Sequence, residues 1–368
     1  MTIINIQTEI KEIPLKSPFI TALRRVENVE FVRVTLTCDN GDKGIGEAPA
    51  TKAITGEGIE EILESIESVK GALNFLAPSS ALEILLAIKN IGSSAKAALD
   101  MALHMLIAHS QDILMLPYLG AKESLTLQTD ITISLNDASV MLDEAKKAVE
   151  NGMNILKIKL GSDIKHAIEV TQNIAKAFPD AKLIIDANQA WSVEDTLHYI
   201  DALRGVKIEL IEQPVVAKDL QGLKRIADYS DIPILADEAV FTLEDAKKVI
   251  QGKCADMINI KLMKCGGVTK AIEILEYCRA NHVKCMLGSM LEGPYSINIA
   301  LHLAMAYCDV IKYIDLDSPL LYKEPSAELE FVFDGCEISL KANFTDVPQP
   351  TAGLDADESN AIQIRANV

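Results

Sequence analysis

The chain predicts an α/β architecture, a (β/α)7β TIM-like barrel with an N-terminal α+β capping domain completed by the C-terminal segment. Three observations carry that prediction. From Leu125 onward eight short apolar runs of strand length follow one another, and polar segments of helical period separate them. The residues before Leu125 alternate and then turn helical without joining that rhythm. A length of 368 residues is enough for one barrel and an added module.

Residues 1–124 form the expected capping domain. Its first fifty residues alternate as antiparallel strands do, as in FVRVTLT (Phe31 to Thr37), and DNGDKG (Asp39 to Gly44) supplies a turn. Between Gly58 and His109, EEILESIESVKGALNFL and SAKAALDMALHMLIAH carry helical period, and the second opens on Ser94, a residue suited to an N-cap.

Residues 125–320 hold the runs LQTDITISL, ILKIKLG, KLIIDAN, IELIEQP, IPILADE, MINIKLMK, VKCMLGS and KYIDLDSP. Strands apolar on both faces and alternating with helices imply a parallel sheet, and eight such units imply closure. An open doubly wound sheet would call for a Gly-rich first turn, which is missing. After the eighth run, ELEFVFDGCEISL (Glu328 to Leu340) reads as a hairpin around Asp334 and Gly335. Residues 321–368 are expected to return to the capping domain.

The formal charge of −18 sets a repulsive field before phosphate backbones and anionic lipid, so neither nucleic acid nor membrane is an expected partner. The start MTIINIQTEIKEIPL has no basic segment leading into an apolar one, and no 18-residue apolar run occurs. A soluble cytoplasmic protein is expected. The seven cysteines are odd in number and scattered, as reduced packed thiols would be. There is no HExxH.

Charged residues inside the apolar runs point to chemistry. In a closed barrel, side chains alternate between the interior and the surrounding helices. With Leu156, Ile158 and Leu160 facing the helices, Lys157 and Lys159 turn inward, near the strand end where barrels keep their active sites. The same parse turns Asp186, Glu212, Asp237 and Lys261 inward. The steps 159 to 186, 186 to 212, 212 to 237 and 237 to 261 span 27, 26, 25 and 24 residues, one βα unit each.

Three converging carboxylates repel unless a cation sits among them, and an all-oxygen set from separate strands suits Mg2+. Lys159 and Lys261, on the second and sixth of eight strands, would face each other across the barrel. That geometry fits proton abstraction from a carbon next to a carboxylate, one amine removing the proton and the other returning it on the opposite face. The base must be partly neutral, and a metal and Lys157 close by would both depress the Lys159 pKa.

These residues resemble the enolase superfamily, in its muconate-lactonizing-like subgroup, and within it the dipeptide epimerases of the L-Ala-D/L-Glu kind. The resemblance implies Lys159 and Lys261 as the acid/base pair, Lys261 being preferred to Lys264 on strand spacing, with Lys157 as electrostatic support. It implies Asp186, Glu212 and Asp237 as Mg2+ ligands. In DLDSP, Asp315 and Asp317 resemble the motif that holds a dipeptide's α-ammonium. PFITALRRV (Pro18 to Val26) resembles a specificity loop, with Arg24 toward a substrate Glu side chain and Ile20 where those enzymes are expected to carry Lys. Ile20 and Ser134 complete the implied substrate-binding set.

The expected activity is therefore Mg2+-dependent epimerisation of the C-terminal residue of an L-Ala-Xaa dipeptide, Xaa being Glu or apolar. The partner is that small-molecule substrate, and a homo-oligomer is compatible with the sequence. The rivals are a muconate cycloisomerase or o-succinylbenzoate synthase using the same lysines, against which the DxD pair argues, and a noncatalytic barrel binding a cation or peptide. Asn188 and Glu238 read as neighbours of the ligand set. His198 and His302 read as ordinary helix residues, and Gly266 and Gly267 as a tight turn.

Overall fold

The structure, a computed structural model, describes residues 1–346. Three antiparallel strands open the chain, β1 (Ile3–Ile20), β2 (Arg25–Cys38) and β3 (Lys43–Pro49). Helices α1 (Ile59–Leu73) and α3 (Ser93–Ser110) pack against them, and α2 (Pro78–Ala87) packs against those two helices. The sheet and α3 meet almost backbone to backbone, because a Cβ on Gly46 of β3 would lie 1.8 Å from the carbonyl oxygen of Ala98. Only glycine fits there.

The expected serine cap of α3 is not made. Glu57 instead accepts hydrogen bonds from the backbone N–H groups of Ser94 (2.8 Å) and Ala95 (3.2 Å). A carboxylate at a helix N-terminus satisfies the same orphan donors and adds a favourable charge–dipole term.

After a two-residue strand β4 (Leu127–Gln128) come eight parallel strands: β5 (Ile131–Ile133), β6 (Ile155–Lys159), β7 (Lys182–Asp186), β8 (Ile208–Glu212), β9 (Ile234–Ala236), β10 (Met257–Ile260), β11 (Lys284–Gly288) and β12 (Ile311–Asp315). They pair in sequence order. The first seven are each followed by a helix: α4 (Ala138–Glu150), α5 (Ile164–Ala177), α6 (Val193–Ala202), α7 (Leu220–Tyr229), α8 (Leu243–Gly252), α9 (Val268–Ala280) and α10 (Pro294–Ala306). Closure is made by a parallel bridge between Thr129 and Ile314 and by the Asp130 N–H donating to Ile314 O at 3.2 Å. This is a (β/α)7β barrel.

Period-2 alternation sorts the barrel interior. Ile155, Ile184, Leu210, Leu235, Met257, Met286 and Tyr313, one from each of β6 to β12, form a separate apolar plug. The interior residue two positions further along β6 to β10 is Lys157, Asp186, Glu212, Asp237 and Asn259 in turn, all buried. Leu156, Ile158 and Leu160 join the larger core outside the barrel.

The cap grips the barrel by its helix N-termini. Asp100 of α3 accepts from the N–H of Val268 (2.6 Å) and Thr269 (3.3 Å) and from the Thr269 hydroxyl (2.6 Å), so it caps α9 from another domain. Glu47 of β3 accepts from the N–H of Tyr295 (2.9 Å) and Ser296 (3.3 Å) at the start of α10. Both helices follow loops that border the barrel mouth. Asp100→Ala is expected to cost about 1–2 kcal/mol, the range of a lost N-cap, read as a lower urea midpoint.

Beyond β12 a single helical turn (Ser318–Leu321) stands in place of a full eighth helix, and Lys323 N donates to Pro14 O of β1 at 2.8 Å. Glu328 pairs with Arg33 of β2 at 2.6 Å. The hairpin of β13 (Phe331–Asp334) and β14 (Glu337–Leu340), turning at Gly335, then pairs with β4. The rest of the expected C-terminal return, residues 347–368, lies outside the described residues.

Candidate active site

A cavity of about 570 Å³, counting its open mouth, lies over the C-terminal ends of the barrel strands. Lys159, Asn188, Asp237, Glu238, Lys261, Asp315 and Asp317 line it from the barrel side. Phe19, Thr21, Leu23 and Arg24, from the turn joining β1 to β2, line it from the cap side. An Arg24 carbonyl bonded by the Thr21 N–H (2.9 Å) closes that turn.

Ammonium and carboxylate groups alternate around the wall. Lys159 Nζ lies 2.5 Å from Asp186 Oδ2, and Lys261 Nζ lies 2.9 Å from Asp237 Oδ2. Lys157, fully buried beneath the cavity, reaches Asp315 (2.5 Å), Glu212 (2.7 Å) and Asp186 (3.3 Å) at once. Lys157, Lys159, Asp186, Glu212 and Asp315 are thus joined in one network, and Lys261 with Asp237 forms a second pair on the same cavity. Among the described residues the acids drawn within 4.8 Å of one another are Asp130, Asp315 and Asp317, not Asp186, Glu212 and Asp237.

Gly288 makes room for the Lys261 side chain, since a Cβ there would stand 3.0 Å from its Cε. Lys264 also reaches Asp237, through Oδ1 (2.6 Å) and the backbone carbonyl (2.5 Å), but it does not line the cavity.

The electrostatics follow from burial and pairing. Burial opposes charge on Lys157, but Asp315, Glu212 and Asp186 outweigh it and hold the ammonium well above its ordinary value. Asp237 is held far below the carboxylate range because Lys261 and Lys264 overcome its desolvation. Lys261 is correspondingly raised, chiefly by Asp237 against burial. Glu212 is pushed up to about 7 and Glu238 to about 8, in each case first by burial and then by a neighbouring carboxylate.

Asp315 and Asp317 line the cavity's far side, with Asp317 Oδ2 accepting from Thr132 N at 2.7 Å. Arg24 is drawn down to about 10 by burial, and among the described residues no carboxylate pairs with its guanidinium. Ile20 and Ser134 do not line this cavity. The Ile20 N–H points at Ser134 Oγ (3.4 Å), and Ser134 borders a separate groove with Phe19 and Thr132. Asn188 and Glu238 touch each other (3.4 Å) on the cavity wall. His302 bonds Glu330 at 2.7 Å, away from the cavity.

Sequence reasoning passed over three buried polar residues. Asn259 donates to Glu212 at 2.8 Å, and its position two before Lys261 on an alternating strand would have placed it inward. Asp130 stands just before β5 and forms, with Asp315 and Asp317, a trio whose nearest carboxylate oxygens all lie within 4.8 Å of one another. It was visible in LQTDITISL by the same alternation. Glu292, buried in the loop after β11 and pushed up to about 7 by burial, carried no periodic signal.

A closed (β/α)7β barrel with lysines and carboxylates at the mouth, roofed by an α+β cap, is the architecture of an enzyme of the enolase kind. Residues 140–352 match the enolase C-terminal domain-like family, and residues 3–120 match the N-terminal domain of mandelate racemase / muconate lactonizing enzyme. The chain belongs to that family of the enolase superfamily.

It is 61% identical over 338 residues to the L-amino acid-D/L-Glu epimerase of Sulfurimonas denitrificans, covering 92% of this chain and 99% of that one. A substrate-liganded complex of the L-Ala-D/L-Glu epimerase from Bacillus subtilis superposes with TM-score 0.89 at 38% identity, over 93% of this chain and 97% of that one. The dipeptide epimerase from Enterococcus faecalis V583, complexed with Mg and L-Leu-L-Tyr, gives 0.86 at 33%, over 93% and 98%. The chain is an isomerase. Among the described residues no helix is long and apolar enough to cross a membrane.

Proposed function

We propose that the chain is a Mg2+-dependent dipeptide epimerase that inverts the α-carbon of the C-terminal residue of an L-Ala-Xaa dipeptide, with Xaa Glu favoured. The observation that carries this reading is that Lys159 and Lys261, from the second and sixth barrel strands, border one cavity together with Asp315 and Asp317. Two amines serve the two faces of a carbon. Two buried carboxylates receive a cation.

The site's own chemistry fits a hard divalent ion. Asp186, Glu212 and Asp237 supply only oxygen from three adjacent strands, and among the described residues the buried Asn188 Oδ1 and Glu238 Oε2 beside them have no hydrogen-bond partner. Asp186, Glu212 and Asp237 would hold the ion. When bound, Mg2+ supplies positive charge that offsets the second negative charge developing on the substrate carboxylate.

Lys159, in its neutral amine form, accepts the α-proton: the C–H bond breaks, its electron pair enters the enediolate, and the amine lone pair forms an N–H bond. Lys261 donates a proton to the other face, and the product has the opposite configuration. In this structure Lys261 is bonded to Asp237 at 2.9 Å, which holds its ammonium beside the cavity. Asp315 and Asp317 meet the dipeptide's ammonium, and the unpaired Arg24 meets the side chain of Xaa, which favours Glu over an apolar residue.

The test is an L-Ala-Xaa library in deuterated water with and without Mg2+, read by mass spectrometry. Deuterium at the α-carbon of Xaa, with Glu among the best substrates, is expected. No exchange into any dipeptide would overturn the reading.

A pH dependence follows. Asp317 is pushed up to about 6, first by burial and then by the charge on Asp315, while Thr132 pulls it back. Above that pH it is charged and attracts the ammonium; as pH falls through about 6 it takes up a proton. KM for the dipeptide is therefore expected to rise about tenfold per pH unit below that point. Asp317→Asn should raise KM and lose this rise.

A further inference from the structure

Asp130 is fully buried, and among the described residues neither of its carboxylate oxygens has a hydrogen-bond partner. It stands behind the Asp315–Asp317 pair, with one oxygen of each of the three within 4.8 Å of the others. The charged groups that face it are Asp315 and Asp317, on β12 and the loop after it, and Lys157 on β6. Lys157 is bonded to Asp315 and divided among Glu212 and Asp186 as well. Asp317 has the Thr132 N–H. Asp130 is the member of the trio left with no donor.

Three buried carboxylates this close do not all stay ionised when one cation is shared among them and two more acids. The proton settles on the acid with the fewest donors. A neutral carboxyl then presents an O–H, and the nearest acceptor is its neighbour's carboxylate.

We propose that Asp130 is held as a neutral carboxylic acid whose O–H donates to Asp315, making it a positioning residue for the ammonium subsite. Burial, then Asp315, push its pKa well above the carboxylate range, against the pull of Lys157. With the proton in place the trio carries two negative charges instead of three, and Asp315 keeps its orientation while its other contacts remain with Lys157. A third charge would make the subsite a trap for any small cation. The proton tunes it to one ammonium.

The kinetic arm of the test rests on the dipeptide reading; the spectroscopic arm does not. Infrared difference spectra between the wild-type protein and Asp130→Asn, taken without substrate at neutral pH, are expected to show a protonated carboxyl C=O band in the wild type. With dipeptide, Asp130→Ala should raise KM at least tenfold and change kcat less, and Asp130→Asn, which restores a donor, should recover most of that loss. An N-acetylated dipeptide, which lacks the ammonium, should feel no added penalty from Asp130→Ala. Absence of the band, or an Asn variant as impaired as the Ala variant, overturns the proposal and makes Asp130 an ionised third partner. A band in a protein that turns over no dipeptide upholds the protonation and removes the epimerase reading instead.

Discussion

Replacing Lys159 or Lys261 with alanine is expected to abolish epimerisation, lowering kcat by about a hundred- to ten-thousandfold, the weight of a positioned acid or base. The two variants should fail differently. A protein keeping only one amine still has a group on one face of the α-carbon, so each variant is expected to exchange solvent deuterium into a single stereoisomer of the dipeptide. The stereoisomers served by the two variants should be opposite.

Both side chains border the same cavity, each bonded to a different carboxylate, Asp186 for Lys159 and Asp237 for Lys261. Removing one leaves the other's partner in place. Chiral chromatography combined with mass spectrometry reads both properties, and full inversion by either variant would exclude a two-base route. Lys264→Ala makes the contrast. It too loses a bond to Asp237, but its amine does not border the cavity, so a loss of activity there without stereospecific exchange would mark a supporting position.

The barrel was legible because closure imposes a rule on sequence. Each strand must be apolar on its outer side, so a charge at an alternating position has only the interior to enter, and Lys157, Lys159, Asp186, Glu212, Asp237 and Lys261 are all found there. What alternation does not encode is which of two interior acids is paired. Asp130 and Asp315 occupy opposite sides of the barrel seam, 185 residues apart in sequence, and only closure brings them together. The capping was also opaque, since Glu57 and Asp100 act on helices distant in sequence and no local pattern links them. The turn carrying Ile20 was readable as a loop over the mouth. Its individual positions were not, because a hairpin tip obeys no periodicity and places Arg24 over the cavity while Ile20, ending β1, is bonded through its backbone to Ser134 and Leu135.

Lys157→Met is expected to destabilise the protein by about 3–5 kcal/mol, the cost of removing one partner from a buried ionic network. Methionine keeps the volume and removes only the charge and its donors. Lys157 has no exposure, and its ammonium lies against Asp315, Glu212 and Asp186 together. Without it Asp186 retains Lys159 and Glu212 retains the Asn259 amide, but Asp315 loses its bonded cation. The sign of the pH dependence distinguishes this from ordinary repacking. In the wild-type protein Asp315 sits below its ordinary pKa because Lys157, then Lys159 and Lys261, overcome its burial, so it adds stability above the unfolded value that is lost in acid. In the variant burial dominates, the folded-state pKa rises above the unfolded one, and the group favours the folded state only when protonated. The gap between wild type and variant should therefore be widest near neutral pH and narrow as pH falls toward 5, in urea titrations at matched ionic strength. A gap that stays constant over that range would show that Lys157 contributes packing and not charge, and the floor of the site would then have to be held together by Lys159, Lys261 and Lys264 alone.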